Sequence, residues 1–180
     1  FKKATVYSEA SACSTLADDS GLEVDALDGR PGVKSYRFAG PDATDAENNQ
    51  KLLDELEGVP QNDRTARFVC LVARAIPGDL LGRNLCWRAN VTWEAVGVGQ
   101  PHEEGVMTRV EDRVLVWFRG TIEGRILTEP RGDGGFGYDP LFYVPSEEKT
   151  MAELPQSRKN QISHRSEALR KIADTYTPGS

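Results

Sequence analysis

The segment DATDAENNQKLLDELEGV, residues 42 to 59, repeats its apolar positions at helical spacing: Leu52, Leu53 and Leu56 make a stripe among charged and amide residues. Thr44 and Glu47 have the spacing of a capping box, and Gly58 with Pro60 supplies the stop. The pattern predicts a helix whose polar face is ordinary solvated surface. RFVCLVARAI, residues 67 to 76, is a short apolar run rich in β-formers, ended by Pro77-Gly78, and predicts a buried strand. In ANVTWEA, residues 89 to 95, Val91 and Trp93 alternate with Thr92 and Glu94, as in a half-buried strand. RVLVWFRGTIEGRI, residues 113 to 126, predicts one or two further strands. At the start, Ala4, Tyr7 and Ala10 keep helical spacing among Lys2, Lys3, Ser8 and Glu9, so the tail of a helix should lead into a short strand. Near the end, Ala168, Leu169 and Ile172 predict another helix, with Ser163 or Ser166 as its N-cap. RPGVKSYRFAG, residues 30 to 40, and GVGQPHEEG, residues 97 to 105, read as loops, the second carrying an exposed His102. Helices and strands mix along the chain without an internal repeat, which predicts an α/β or α+β layered sheet.

Composition narrows the class. With 180 residues, of which 38% are hydrophobic, the chain can bury one core and is expected to form a single domain. No stretch reads as a membrane span or as a secretory leader, so a soluble, cytoplasmic protein is expected. Cys13, Cys70 and Cys86 have no CxxC spacing and are expected as reduced thiols. A net charge of -6 argues against a nucleic-acid surface, so any phosphate chemistry must be local.

Three stretches carry candidate chemistry. ADDSG, residues 17 to 21, sets Asp18 and Asp19 between Leu16 and Leu22, where charge is costly unless paired. In an extended chain adjacent side chains point opposite ways, so the two acids cannot serve one metal; one should be chemical and the other structural. RGDGGFGYDPLFYVPSEEKTMAEL, residues 131 to 154, has four glycines that permit close backbone approach, with Phe136 and Tyr138 as flat faces. It reads either as a nucleotide-binding loop or as a tight turn whose aromatics plug the core. Lys159, His164 and Arg165 crowd the beginning of the last predicted helix, where a bound anion would relieve their conflict with the helix dipole. The equal alternative is a solvated basic turn balanced by Glu147, Glu148 and Glu153. An acidic pair, a glycine-aromatic loop and a basic helix start are the parts a Mg2+-dependent nucleotide hydrolase needs, since Mg2+ prefers oxygen ligands and substrate phosphates.

In order, ADDSGLEVDAL, PGVKSYRFAG, DATDAENNQKLLDELEGV, GDGGFGYDPLFYVPSEEKTMAEL and KNQISHRSEAL resemble the signature segments of the inosine triphosphate pyrophosphatase family. The resemblance implies hydrolysis of the non-standard purine nucleotides ITP, dITP and XTP to monophosphate and pyrophosphate. It also implies Mg2+, a homodimer, and an elongated mixed β-sheet with flanking helices and two lobes around a nucleotide cleft. Residue by residue, Asp19 matches the catalytic acid and metal ligand. Ser20, Phe136, Gly137, Tyr138, Asp139, Lys159, His164 and Arg165 match substrate-binding positions, and Asp18 is expected to support the turn.

Two departures from the family pattern stand out. Nothing ahead of ADDSG matches the family's opening strand, phosphate loop and second metal acid, so an N-terminally incomplete domain is expected. The stretch from about Gly78 to Arg113 is longer than the family's usual connection and reads as an inserted hairpin. The competing readings are a catalytically incomplete purine-nucleotide-binding or interaction protein, and an unrelated Mg2+-dependent phosphatase releasing inorganic phosphate.

Overall fold

Helix α1 (Lys2–Ser11) is tied to the strand that follows it, β1 (Thr15–Val24), by two hydroxyls. Ser8 Oγ donates to the Cys13 carbonyl at 2.8 Å, and Thr15 Oγ1 donates to the Ala4 carbonyl at 2.6 Å. The computed structural model describes residues 2–80, 86–87, 92–93, 106–110, 113–174 and 176–177. After β1 come β2 (Pro31–Gly32), α2 (Asp45–Glu55), β3 (Thr65–Pro77), β4 (Cys86–Trp87), β5 (Thr92–Trp93), β6 (Val106–Val110) and β7 (Arg113–Ile126). The chain continues with β8 (Phe142–Val144), β9 (Lys149–Thr150), α3 (Gln156–Ile162), α4 (His164–Asp174) and β10 (Tyr176–Thr177). The main sheet has the order β2-β1-β3-β7-β6-β5, with β8 on β7 and β9 on β8; β10 pairs with β4 separately. Antiparallel β6–β7 beside parallel β5–β6 makes the sheet mixed, and the fold is α/β as the pattern predicts.

The described residues gather into two compact units: Phe1–Asp19, Cys70–Gly120 and Arg165–Ser180 form the first, and Ser20–Val69 with Thr121–His164 form the second. In the first unit both faces of the sheet are covered. Cys70, Val72, Val114, Val116 and Phe118 pack with Ala168 and Ile172 of α4, while Ala73, Ala75, Leu115 and Trp117 pack with Ala4 of α1. Double coverage explains why β3 and β7 read as nearly continuous apolar runs instead of alternating ones. In the second unit Leu22, Val24, Leu52, Leu56, Ile126, Leu141 and Phe142 form the core. There α2 begins with the predicted reciprocal capping box: Glu47 N–H donates to Thr44 Oγ1, and Thr44 N–H donates to Glu47 Oε2. The chain just past its end is held by the buried Arg64, whose Nη2 donates to the C-cap carbonyl of Leu56 at 2.8 Å and whose Nε donates to Val59 O at 3.0 Å.

Of the one or two strands expected over residues 113 to 126, one forms, β7. Three expectations need correction. The acids of ADDSG lie within a ten-residue strand and are exposed; only Leu22 and Val24 of β1 are buried, so Asp18 supports no turn. The expected C-terminal helix, α4, begins directly after an extended Ser163 (ψ 152°), one of its two N-cap candidates, but a further helix, α3, precedes it and carries Lys159. The polar face of α2 is not all solvated, since Asn48 is buried. Most of the longer stretch from Gly78 to Arg113, including His102 and the sides of ANVTWEA, lies outside the described residues; Thr92–Trp93 is strand. Among the described cysteines, Cys13 is exposed and Cys70 is buried, and neither is in a disulfide.

Candidate functional site

Because β1 is extended, its two adjacent acids meet different partners. Asp18 Oδ2 accepts a hydrogen bond from Arg165 Nε at 3.1 Å, at the start of α4. Asp19 Oδ1 lies 3.6 Å from Lys3 Nζ of α1, and both side chains of this second pair are 65% exposed. Exposed pairs of this kind contribute about 0–1 kcal/mol to stability, so Asp19 is held loosely. It opens onto a groove of about 570 Å³ in the first unit, lined among others by Lys2, Lys3, Tyr7, Asp18, Asp19 and Leu71. The groove thus offers carboxylate oxygen and ammonium groups beside apolar surface, a mixture suited to a metal-bound polyanion.

No group of three or more His, Cys, Asp or Glu side chains that could hold a metal occurs among the described residues. A hard divalent cation nonetheless accepts one or two carboxylates and completes its shell with water and substrate phosphates. Asp19, exposed and offering oxygen, fits that requirement.

In the second unit the glycine-aromatic loop is built around a left-handed residue, Gly137 (φ +60°). Its two aromatics separate completely. Phe136 is 67% exposed, whereas Tyr138 is buried and donates its hydroxyl to the Ser35 carbonyl at 2.8 Å. Burial, with a smaller contribution from the nearby Asp45 carboxylate, pushes the Tyr138 hydroxyl above its ordinary pKa. One ring of this loop therefore plugs the core and the other faces out.

Lys159 lies on α3, one helix before the expected position at the start of α4, and is buried. Its Nζ donates to Asp139 Oδ2 at 2.9 Å, and the two side chains are only 9% and 11% exposed. Gly135 (φ +91°) crosses directly over this pair, and a side chain there would collide with Asp139 Oδ2 and Lys159 Nζ. His164 is buried as well, its ring stacked on Phe68 at 5.2 Å between centroids. Ser20 Oγ is buried and has no hydrogen-bond partner among the described residues. The structure thus brings Asp139, Lys159 and the glycine loop together, and separately brings Asp18 to Arg165.

Residues not expected to matter organise these loops from α2. Asn48 accepts from Ala39 N–H at 2.8 Å and donates to Tyr36 O at 3.0 Å, while Asp45 and Asn49 reach the Gly137 peptide. The available signal was Asn48-Asn49 itself, since adjacent asparagines weaken a helix interior unless their amides bond elsewhere.

Residues 1–175 match the Ham1 family. A dITP/XTP pyrophosphatase of Halalkalibacterium halodurans is 44% identical over 94% of this chain and 70% of its own length. That of Geobacillus kaustophilus is 48% identical over 89% of this chain and 62% of its own. The chain thus spans roughly two thirds of these curated relatives. Among solved structures, a HAM1 protein from Coxiella burnetii superposes with a TM-score of 0.73 at 39% identity, over 96% of this chain and 72% of that one. The Staphylococcus aureus Ham1 protein gives 0.70 at 35% identity, over 96% and 71%.

Proposed function

Since the chain belongs to the Ham1 family, we propose that it hydrolyses non-standard purine nucleoside triphosphates, ITP, dITP and XTP, to the monophosphate and pyrophosphate. Relatives named dITP/XTP pyrophosphatase support the reaction class. The observation that carries the site assignment is the division of labour in ADDSG: Asp18 is engaged by Arg165, and Asp19 is left exposed on the groove beside Lys3.

In this reading Asp19 is the catalytic acid and metal ligand. It orients the attacking water and accepts its proton as the water attacks the α-phosphorus and pyrophosphate leaves. Mg2+, when bound, supplies charge neutralisation at the phosphate oxygens and polarises the reacting groups. Lys2 and Lys3, which line the same groove, offset phosphate charge. Arg165 fixes Asp18 and so keeps the neighbouring Asp19 facing the groove.

Ser20, Phe136, Gly137, Tyr138, Asp139, Lys159, His164 and Arg165 are the substrate-binding set that accompanies this reading. Their roles differ. Phe136 offers a ring face for the purine, and Tyr138 anchors the loop. Asp139 and Lys159 hold the backbone above them. Discrimination against ATP follows from hydrogen-bond polarity: a donor satisfied by a 6-keto group meets another donor in adenine's amino group. A homodimer in the cytoplasm belongs to the same proposal.

The test is release of pyrophosphate from ITP, dITP, XTP and ATP in Mg2+, with and without an added inorganic pyrophosphatase. Pyrophosphate from the first three and not from ATP is expected. Orthophosphate released directly would instead favour a phosphatase, and binding without release a nucleotide-binding protein.

A further inference from the structure

Helix α2 grips the glycine-aromatic loop by both polar atoms of a single residue. Gly137 N–H donates to Asp45 Oδ2 at 2.6 Å, and the Gly137 carbonyl accepts from Asn49 Nδ2 at 2.9 Å. Asp45 and Asn49 are one helical turn apart, so one face of α2 reaches both atoms. An aspartate in the first turn would ordinarily serve its own helix's unpaired N–H groups, yet here that end is already capped by Thr44 and Glu47. The Asp45 carboxylate is thereby available to a loop 92 residues away.

The gripped residue is the one that decides where the aromatics go. Gly137 sits at φ +60°, between exposed Phe136 and buried Tyr138, and a Cβ there would meet nothing within 4 Å. Space does not demand glycine at this position; the left-handed conformation does. Tyr138 is fixed independently by burial and by Ser35 O. The turn is closed by Asp139 N–H donating to Phe136 O at 3.2 Å. Asp45 holds the N–H of the Phe136–Gly137 peptide, whose carbonyl Asp139 N–H engages, and Asn49 holds the carbonyl of the Gly137–Tyr138 peptide that follows, so α2 grips both peptides that flank the Gly137 Cα. Loss of either bond would loosen the peptide it holds while the core beneath stays packed.

Resting on the function proposed above, we propose that Asp45 and Asn49 are positioning residues for purine binding. They act through the two peptides that flank Gly137 to hold the Phe136 ring in its nucleotide-receiving orientation, and neither touches the nucleotide. The conservative variant separates this role from mere stability, because Asp45→Asn keeps an oxygen acceptor for Gly137 N–H and Asp45→Ala does not.

Two measurements on the full chain test it together: hydrogen exchange at the Gly137 amide, and ITP affinity by calorimetry in Mg2+. The N–H should be protected in the unsubstituted protein, exchange about tenfold or more faster in Asp45→Ala, and return to within about twofold in Asp45→Asn. ITP affinity should fall about five- to tenfold in Asp45→Ala and Asn49→Leu, and recover in Asp45→Asn. In a Phe136→Ala background, Asp45→Ala should weaken ITP binding no further, a coupling that a general loss of stability would not produce. An unprotected Gly137 amide in the unsubstituted protein overturns the clamp. Faster exchange with unchanged ITP affinity overturns the positioning role. If the unsubstituted protein binds no ITP while Gly137 is protected, the clamp stands and the nucleotide reading fails, taking the positioning role with it.

Discussion

Two carboxylate–ammonium pairs lie in the two units of this molecule, and they do opposite things. Asp139 and Lys159, 2.9 Å apart and about nine-tenths buried, have given up their hydration for each other. Asp19 and Lys3, 3.6 Å apart and 65% exposed, remain in water. The same residue types therefore make a strut in one place and an accessible chemical group in the other. The difference is set by desolvation: a buried charge whose partner is removed is stranded, while an exposed one is merely hydrated. It follows that the first pair should be read out in stability and the second in chemistry.

The comparison is broken most directly at the strut. Lys159→Met should cost about 3–5 kcal/mol in urea unfolding, because Asp139 is left buried without its partner. Pairing it with Asp139→Leu should recover much of that loss, and a double variant no more stable than Lys159→Met would show that the carboxylate is not the stranded group. Gly135→Ala should cost about 3 kcal/mol by the same measurement, through a positive φ and a methyl driven into the same pair.

A smaller effect comes from the exposed network in the second unit. Hydrogen bonds from Arg67, then from Thr65, hold the Asp25 carboxyl below its ordinary value of 3.8. Its folded pKa is depressed, so the unfolded chain binds the proton first; the stability it lends is present above about 3.8 and drains away as pH falls through the folded pKa. Arg67→Met should flatten that acid limb in unfolding scans taken from pH 6 downward, and an unchanged limb would remove Asp25 from the account. The smallest effect is expected at Asp18→Asn. With its side chain 48% exposed, stability should change by no more than about 1 kcal/mol. A larger loss would mean that the Arg165 pair is a second strut.

How much of this was legible in the sequence differs by element. Helix α2 was readable to its cap, since Thr44, Glu47 and the leucine stripe are local signals that the tertiary structure reinforces. The strands β3 and β7 were readable because coverage by α1 and α4 makes both of their faces apolar. The burial of ADDSG was misread, because flanking apolar residues say nothing about which half of a strand is covered. The start of α4 after Ser163 was legible as a cap, whereas the short α3 before it was hidden in a polar stretch with no apolar stripe. In the candidate site, Asp19 and the FGYD loop were visible as motifs. The bonds from Asp45 and Asn49 to Gly137 join positions 92 and 88 residues apart, and no local pattern marks such a pair.

The most direct test of the central claim is pyrophosphate release from ITP in Mg2+ by the unsubstituted chain and by Asp19→Asn, with urea unfolding of both run alongside. The account predicts that unfolding free energies agree within about 1 kcal/mol, as for any exposed pair, while turnover falls by about 10²-fold or more, as expected on loss of a catalytic base. Equal turnover of the two proteins would contradict it and remove Asp19 from the chemistry.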